Sequence, residues 1–434
     1  MKRIHILLFF TLALMQAQAQ ILTLDEALNI SLQNNYNISV ARNEVELARL
    51  NNSLGNAGML PTVDLNGTGQ YAFNNIHQKD ADGTKTSQPD QGATSLGANV
   101  ELNWTLFDGG RMFIAKNRLE ELERLSGIRY EAQVLQTVYD VIEAYYAVVK
   151  EQQQLRSINE VIDYNRERVK IAETGFTAGS LVKTELLTAK IDLNVSLEDA
   201  VTQQFAIEAA CRKLNVLMGR NAALSVDVVD SIPPSVAPDK AELLSKLYSS
   251  NADVLAAAQQ IKVMQLALRE NKRAYLPSLG VYGGYYFNYN HYSKGITLEN
   301  RVHGPQVGAT LTVPLYRAGE TKRKVAQSKL ELQTAQLDLD NIKLQAAADL
   351  ENAYTAFEDQ QKLLNIEIEN NLLARENFEI SLHRLRLGQT TSLEVHQAQE
   401  DFEQSAARLI NFKYNLKIAE TKLKQLVAEW KLSD

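Results

Sequence analysis

Four stretches of the chain alternate apolar and polar positions with a period of two. In residues 63–73, Val63, Leu65, Tyr71 and Phe73 share one face with two glycines, and Asp64, Asn66, Thr68 and Gln70 share the other. Residues 96–107 repeat the pattern, with Leu96, Val100, Leu102 and Trp104 set against Asn99, Glu101, Asn103 and Thr105. Two further runs, 279–289 and 307–315, place Tyr285, Phe287 and Tyr289 in phase on an apolar face. Alternation over about ten residues predicts strands exposed to different media on their two sides. About 9–11 tilted residues is also the length of a membrane-crossing strand. The polar segments 77–92 and 290–304 read as the loops of two β-hairpins, about 61–107 and 277–315.

The period lengthens after each hairpin. Proline-free segments at about 110–174 and 319–386 predict helices of roughly 100 Å each, at 1.5 Å per residue. Return helices follow, to about 220 and about 430. The first carries Leu186, Leu193, Ala200, Ile207 and Leu214 every seventh residue, and the second Val395, Phe402, Leu409, Leu416 and Leu423. A parallel set lies three residues on, from Ala189 and from Ala398. Such heptads predict coiled-coil seams, and the Ala and Ser within them permit close approach. Between long and return helices stand Gly179 and Gly388. A helix-interior glycine costs about 1 kcal/mol against alanine, so both read as reversal points.

These echoes belong to one duplication. Gly179, Glu185 and Ala189 recur as Gly388, Glu394 and Ala398, 209 positions later, and Leu106–Gly110 recurs as Leu315–Gly319 at the same offset. Leu60-Pro61 recurs as Leu276-Pro277 at an offset of 216, which puts a seven-residue insertion in the first hairpin. The reading is a first repeat over 20–230 and a second over 231–434, the latter opening on the Pro-rich connector 231–240. Each repeat begins with a helical segment, 23–58 and 239–274, with Thr23 and Glu26 spaced as a capping box and Asp239 as a cap. Each segment stops at a Leu-Pro pair, since proline disfavours helix in the residue before it.

Composition narrows the function. Residues 1–19 read as a secretory signal peptide, with Lys2 and Arg3, an apolar run from Ile4 to Met15, and small residues Ala17 and Ala19. No cysteine follows it that would mark lipid attachment; Cys211 reads as a small core residue. The net charge of −7 and the lack of a basic run argue against nucleic acid as a partner. The six histidines form no metal-binding motif, and the glycine pair at 109–110 lacks a nucleotide-loop context. No catalytic residue, cofactor or metal is expected, and an enzyme is not the reading.

Four strands with an apolar outer face cannot close a transmembrane barrel, because the smallest have about eight and an open edge in lipid is too costly. Three copies would supply twelve strands. The expected fold is therefore mainly α with a small β part: helical hairpins forming a trimeric α-helical barrel, and four strands per chain contributing to a 12-strand β-barrel. Tyr71, Phe73, Trp104, Tyr285, Phe287 and Tyr289 would face lipid.

Taken in order and in duplicate, the Leu-Pro pairs, the LFDGG-like segments and the Gly…Glu…Ala tips resemble the TolC-like outer-membrane efflux proteins over essentially the whole mature chain. The resemblance implies an outer-membrane exit duct with a periplasmic tunnel. It implies a homotrimer docking onto a periplasmic adaptor protein and an inner-membrane pump such as an RND or ABC transporter. It implies that Glu394 and Glu185 line the pore constriction; ordinary exposed helix glutamates are the alternative. The tip residues Gly179, Ser180, Leu181, Gly388, Gln389 and Thr390 become adaptor contacts. Some relatives lock the tips with an Arg two residues after the second glycine and a Tyr three before it; here Thr390 and Leu385 stand there. Arg384 and Arg386 are the candidates for replacement salt bridges to Glu185 or Glu394. Two other readings remain: a type I protein-secretion channel, and a periplasmic coiled-coil scaffold without a pore.

Overall fold

The computed structural model describes residues 21–236 and 238–429; the signal peptide expected at 1–19 lies outside them. Two compact units emerge. A helical unit takes the chain up to Asn43, Ile128–Ala256 and from Asp340 onward, and a sheet unit takes Glu44–Gly127 and Ala257–Leu339. Each draws on both repeats.

In chain order the elements are α1 (Leu24–Asn34), α2 (Tyr36–Asn51), β1 (Thr62–Lys79), β2 (Lys85–Phe107), α3 (Arg111–Thr177), α4 (Lys183–Leu217), α5 (Lys240–Ser250), α6 (Ala252–Arg273), β3 (Ser278–Tyr292), β4 (Glu299–Thr312), α7 (Glu320–Arg386) and α8 (Ser392–Leu426). The long helices α3 and α7 have 67 residues each, and the return helices α4 and α8 have 35 each.

The opening helical segments expected at 23–58 and 239–274 are each two helices. Thr23 and Glu26 close the capping box of α1, and Asp239 caps α5 by accepting from Ala241 N. The breaks fall at Asn35 and Asn251, both extended. Each asparagine uses both ends of its amide. Asn35 Oδ1 accepts from Asn37 N and Ile38 N, and its Nδ2 donates to Leu217 O at 2.8 Å. Asn251 Oδ1 accepts from Asp253 N and Val254 N, and its Nδ2 donates to Leu426 O at 3.1 Å. The same residue type thus caps the next helix and ties it to the end of the return helix, once per repeat.

Among the described residues, two apolar clusters stand out in the helical unit. One packs Val141, Ile142, Val148 and Val149 of α3 on Ala27, Leu214 and Met218. Beside it, the Tyr145 hydroxyl donates to Leu22 O and accepts from Val229 N, clipping the segment before α1 to residues 227–229. The other joins Val161 of α3 to Phe378 and Leu382 of α7 and to Val395, Ala398 and Phe402 of α8. The heptad positions of α4 and α8 are buried or half-buried along both helices.

The sheet unit carries one antiparallel sheet in the order β1-β2-β3-β4. Its strands are longer than the alternation suggested. β1 and β2 pair from Thr62 and Asn103 out to Lys79 and Lys85, so most of the expected loop 77–92 is a continuing two-stranded arm. The expected loop 290–304 shrinks to the turn between Tyr292 and Glu299. Polar strands read as loops when only their hydrophobicity is weighed; here backbone pairing, not burial, extends them. At the other end of the sheet, Gly109 adopts φ +76°, and a Cβ there would lie 2.7 Å from the Leu276 Cβ. The LFDGG glycine of one repeat and the Leu-Pro leucine of the other are in contact. Among the described residues no helix is long and apolar enough to cross a membrane.

Candidate functional site

The tips are built by the backbone. Gly179 N donates to Phe176 O and Ser180 N to Gly175 O, while Gly388 N donates to Leu385 O and Gln389 N to Arg384 O. This is the paired closure of a helix end whose next residue is left-handed, and Gly179 and Gly388 have φ of +75° and +66°. Nothing lies within 4 Å of a Cβ built at either glycine, so backbone conformation rather than crowding selects glycine. Thr391 then caps α8 through Glu394 N at 3.3 Å. No side chain caps α4, whose first turn holds Glu185. Ser180 and Gln389 are exposed, and Leu181 and Thr390 half-buried.

The two candidate glutamates have different surroundings. Glu394 accepts from Arg384 Nη1 at 2.8 Å and from the Thr390 hydroxyl. Arg384 also donates to Gln389 O at 3.3 Å, so one guanidinium spans the tip of the α7–α8 hairpin. Glu185 is half-buried, and no side-chain partner for it occurs among the described residues. Arg386 reaches neither glutamate. Its guanidinium pairs with Glu167 of α3 at 2.7 Å, and Arg375 pairs with Glu160 of α3 at 2.6 Å. Of the two arginines, Arg384 pairs with Glu394 at the tip and Arg386 with Glu167 of the neighbouring hairpin.

Sequence reading missed the residue at the centre of this end of the helical unit. The Arg168 side chain on α3 is 2% exposed and pairs with Asp192 of α4 at 3.0 Å. It also donates to Asn165 Oδ1, to Gln399 Oε1 at 3.0 Å and to Ser392 Oγ at 3.4 Å, the last two on α8. Asn165 donates to Ser196, and His396 Nδ1 lies 3.5 Å from Asp192. A buried charge persists only when paired and hydrogen-bonded, and here the partners come from α3, α4 and α8. The signal available in sequence was slight: the second of two arginines in the largely polar run NRERVK of a long helix. Gln399 passes the network on to Glu403 at 2.7 Å. Glu403 titrates above its ordinary value of 4.5, chiefly because it is buried and secondarily because Asp199 is near.

In the sheet, register places all six aromatics expected to face lipid on one side. Trp104 stands opposite Val281, Tyr285 opposite Val100, Phe287 opposite Ala98 and Tyr289 opposite Leu96. Tyr71 and Phe73 align with Thr94 and Gly92. Leu65 is 78% and Val307 87% exposed on that side. The opposite side carries Asp64 across from Glu101 and Asn66 across from Asn99. An exposed apolar face backed by a polar face is the cross-section of a barrel wall. Both edge strands, β1 and β4, lack a second neighbour among the described residues.

Long antiparallel helical hairpins, glycine-tipped and joined to an amphipathic four-stranded sheet, define the class: a channel protomer of the outer membrane. The sequence pattern described as outer membrane efflux protein matches residues 27–220 and 243–429, and the chain belongs to that family. It is 21% identical to the proteases secretion protein PrtF of Dickeya chrysanthemi over 428 residues, 95% of this chain and 90% of that one. It is 22% identical to the outer membrane efflux protein BepC of Brucella suis over 419 residues, 92% of this chain and 83% of that one. Its fold matches the Campylobacter jejuni CmeC outer membrane channel with a TM-score of 0.75 at 16% identity, covering 93% of this chain and 85% of that one. The protein is an outer-membrane channel of the efflux and export type, with its helices in the periplasm.

Proposed function

We propose that three copies assemble into one exit duct, passive in itself, that docks onto a periplasmic adaptor and an inner-membrane pump. The observation that carries the trimer is the four-stranded sheet with an apolar face and two open edges. In lipid such edges must be paired, and β4 of one copy meeting β1 of the next closes twelve strands. The helices support the same reading. Exposed Ile366, Leu373 and Ile380 repeat every seventh residue along α7, with exposed Leu387 next in step just past its end, and exposed Leu187, Ile191 and Val195 line α4. These stripes need a cover that a single chain does not supply.

In the trimer, six tips converge, and Glu394 and Glu185 form rings of carboxylate that favour cations. The tips at Gly179–Leu181 and Gly388–Thr390 meet the adaptor. The six aromatics of the sheet face lipid, and no reaction is catalysed. Protein cargo is the second reading, favoured by the likeness to PrtF along nearly the whole chain. Fractionation and planar-bilayer recording test the proposal: the purified protein should sediment with outer membranes, run as a trimer and conduct. Recovery as a soluble periplasmic monomer would overturn it in favour of a scaffold.

A further inference from the structure

We propose that Arg301 and Tyr289 form an anchoring site for the anionic phosphate headgroup of an outer-leaflet lipid. The site rests on the barrel reading above and adds what the outer face of the sheet meets at its far end.

Strand register supplies the depth. Along β4 the apolar side presents Leu311, Ala309, Val307, Pro305 and His303 before its first full charge, Arg301. From Leu311 to Arg301 is ten residues, about 34 Å of strand, or about 26 Å along the membrane normal at a tilt near 40°. The apolar band of an outer-membrane barrel is about 25 Å tall. The guanidinium therefore leaves the wall where hydrocarbon ends. Within the sheet unit, α3 and α7 start at Arg111 and Glu320, at the ends of β2 and β4 away from the turns; with those helices on the periplasmic side, the turns meet the outer leaflet.

Local geometry prepares the group. The Arg301 guanidinium carbon lies 5.3 Å from the centre of the Tyr289 ring, its partner across the β3–β4 pair. Glu299 accepts from Arg301 Nε at 2.8 Å and also from Nη2. The Tyr289 side chain adds a hydrogen bond to the same guanidinium. The guanidinium is thus held in place by Glu299 and the aromatic ring, yet the side chain remains 65% exposed and open to a further acceptor. A planar guanidinium matches a phosphate better than a lysine ammonium does, and an anionic leaflet attracts basic residues at its surface. Threefold assembly would repeat the site around the rim.

The test uses full-length protein reconstituted into phosphatidylcholine vesicles with and without diphosphoryl lipid A. Thermal loss of the trimer is the readout. Lipid A should raise the wild-type midpoint. R301Q should match wild type in phosphatidylcholine but lose most of that rise, and R301K should keep part of it. An equal rise in R301Q overturns the proposal and leaves the barrel standing. An equal rise from inorganic phosphate in pure phosphatidylcholine overturns the lipid as the ligand. Failure of the protein to enter either vesicle overturns the barrel reading and this site with it.

Discussion

Arg168 shows how much one side chain can tie together. Its guanidinium joins α3 to Asp192 on α4 and to Gln399 and Ser392 on α8, all within the helical unit. Removing one member of a buried ion pair costs about 3–5 kcal/mol, because the other is left buried and unpaired. R168A should therefore lower the thermal midpoint strongly, D192A somewhat less because Asp192 is less buried, and the double variant less than the sum. Circular-dichroism melts of the four proteins measure that coupling; strict additivity would show that the pair does not act as a unit. Glu403 offers a titration instead. Its folded pKa lies above the unfolded one, through burial first and Asp199 second. The stability linked to its protonated form is complete below the unfolded value of about 4.5 and is lost as pH rises through the folded value. E403Q should then be more stable than wild type at neutral pH and should lack that loss. A wild-type-like pH profile in E403Q would assign the dependence to another group.

At the scale of elements, each repeat solves the same problem twice with the same residue. Asn35 and Asn251 end one short helix, cap the next and hold the end of a return helix. An alanine keeps the extended backbone but loses the cap and the tie. The cap alone accounts for about 1 kcal/mol, and the donated bond for a further 0.5–1.5 kcal/mol. N251A should cost about 2 kcal/mol. N251D retains the acceptor but not the donor and should recover the cap portion only, as chemical denaturation can read. The hairpin tips follow a different logic. Gly179 and Gly388 have room for a side chain, and what they require is a positive φ.

At the scale of the whole molecule, the ion pairs sort into two kinds. Arg384 with Glu394 closes a tip on itself, while Arg386 with Glu167 and Arg375 with Glu160 fasten the second hairpin to α3. All are half-exposed, where single pairs contribute only about 0–1 kcal/mol, so no one of them holds a gate by itself. If the tips meet in a trimer, freeing Glu394 and Glu167 together should loosen that end without unfolding it. R384A/R386A should conduct more than wild type in a planar bilayer at unchanged thermal midpoint. Unchanged conductance would remove these arginines from the gate.

Local chemistry was enough to reveal the duplication, the strand faces and both reversal points. A period of two fixes which side of a strand each residue takes, and a glycine with positive φ is a demand of its own backbone. The six aromatics are on one face because alternation cannot be undone by packing. The break at Asn35 was hidden because an asparagine beside helix formers shows its cap only when Leu217, far along the chain, accepts its amide. The polar arm of β1 and β2 was hidden because its strands are held by backbone pairing, which leaves no mark on hydrophobicity. Arg168 was invisible for the strongest reason. Its burial depends on Asp192 and Gln399 arriving from two other helices, one of them 231 residues away. The sequence by itself determined the periodic elements and where they turn. Only the tertiary structure decided which charges are buried and whom they face, because burial and pairing are properties of several helices at once.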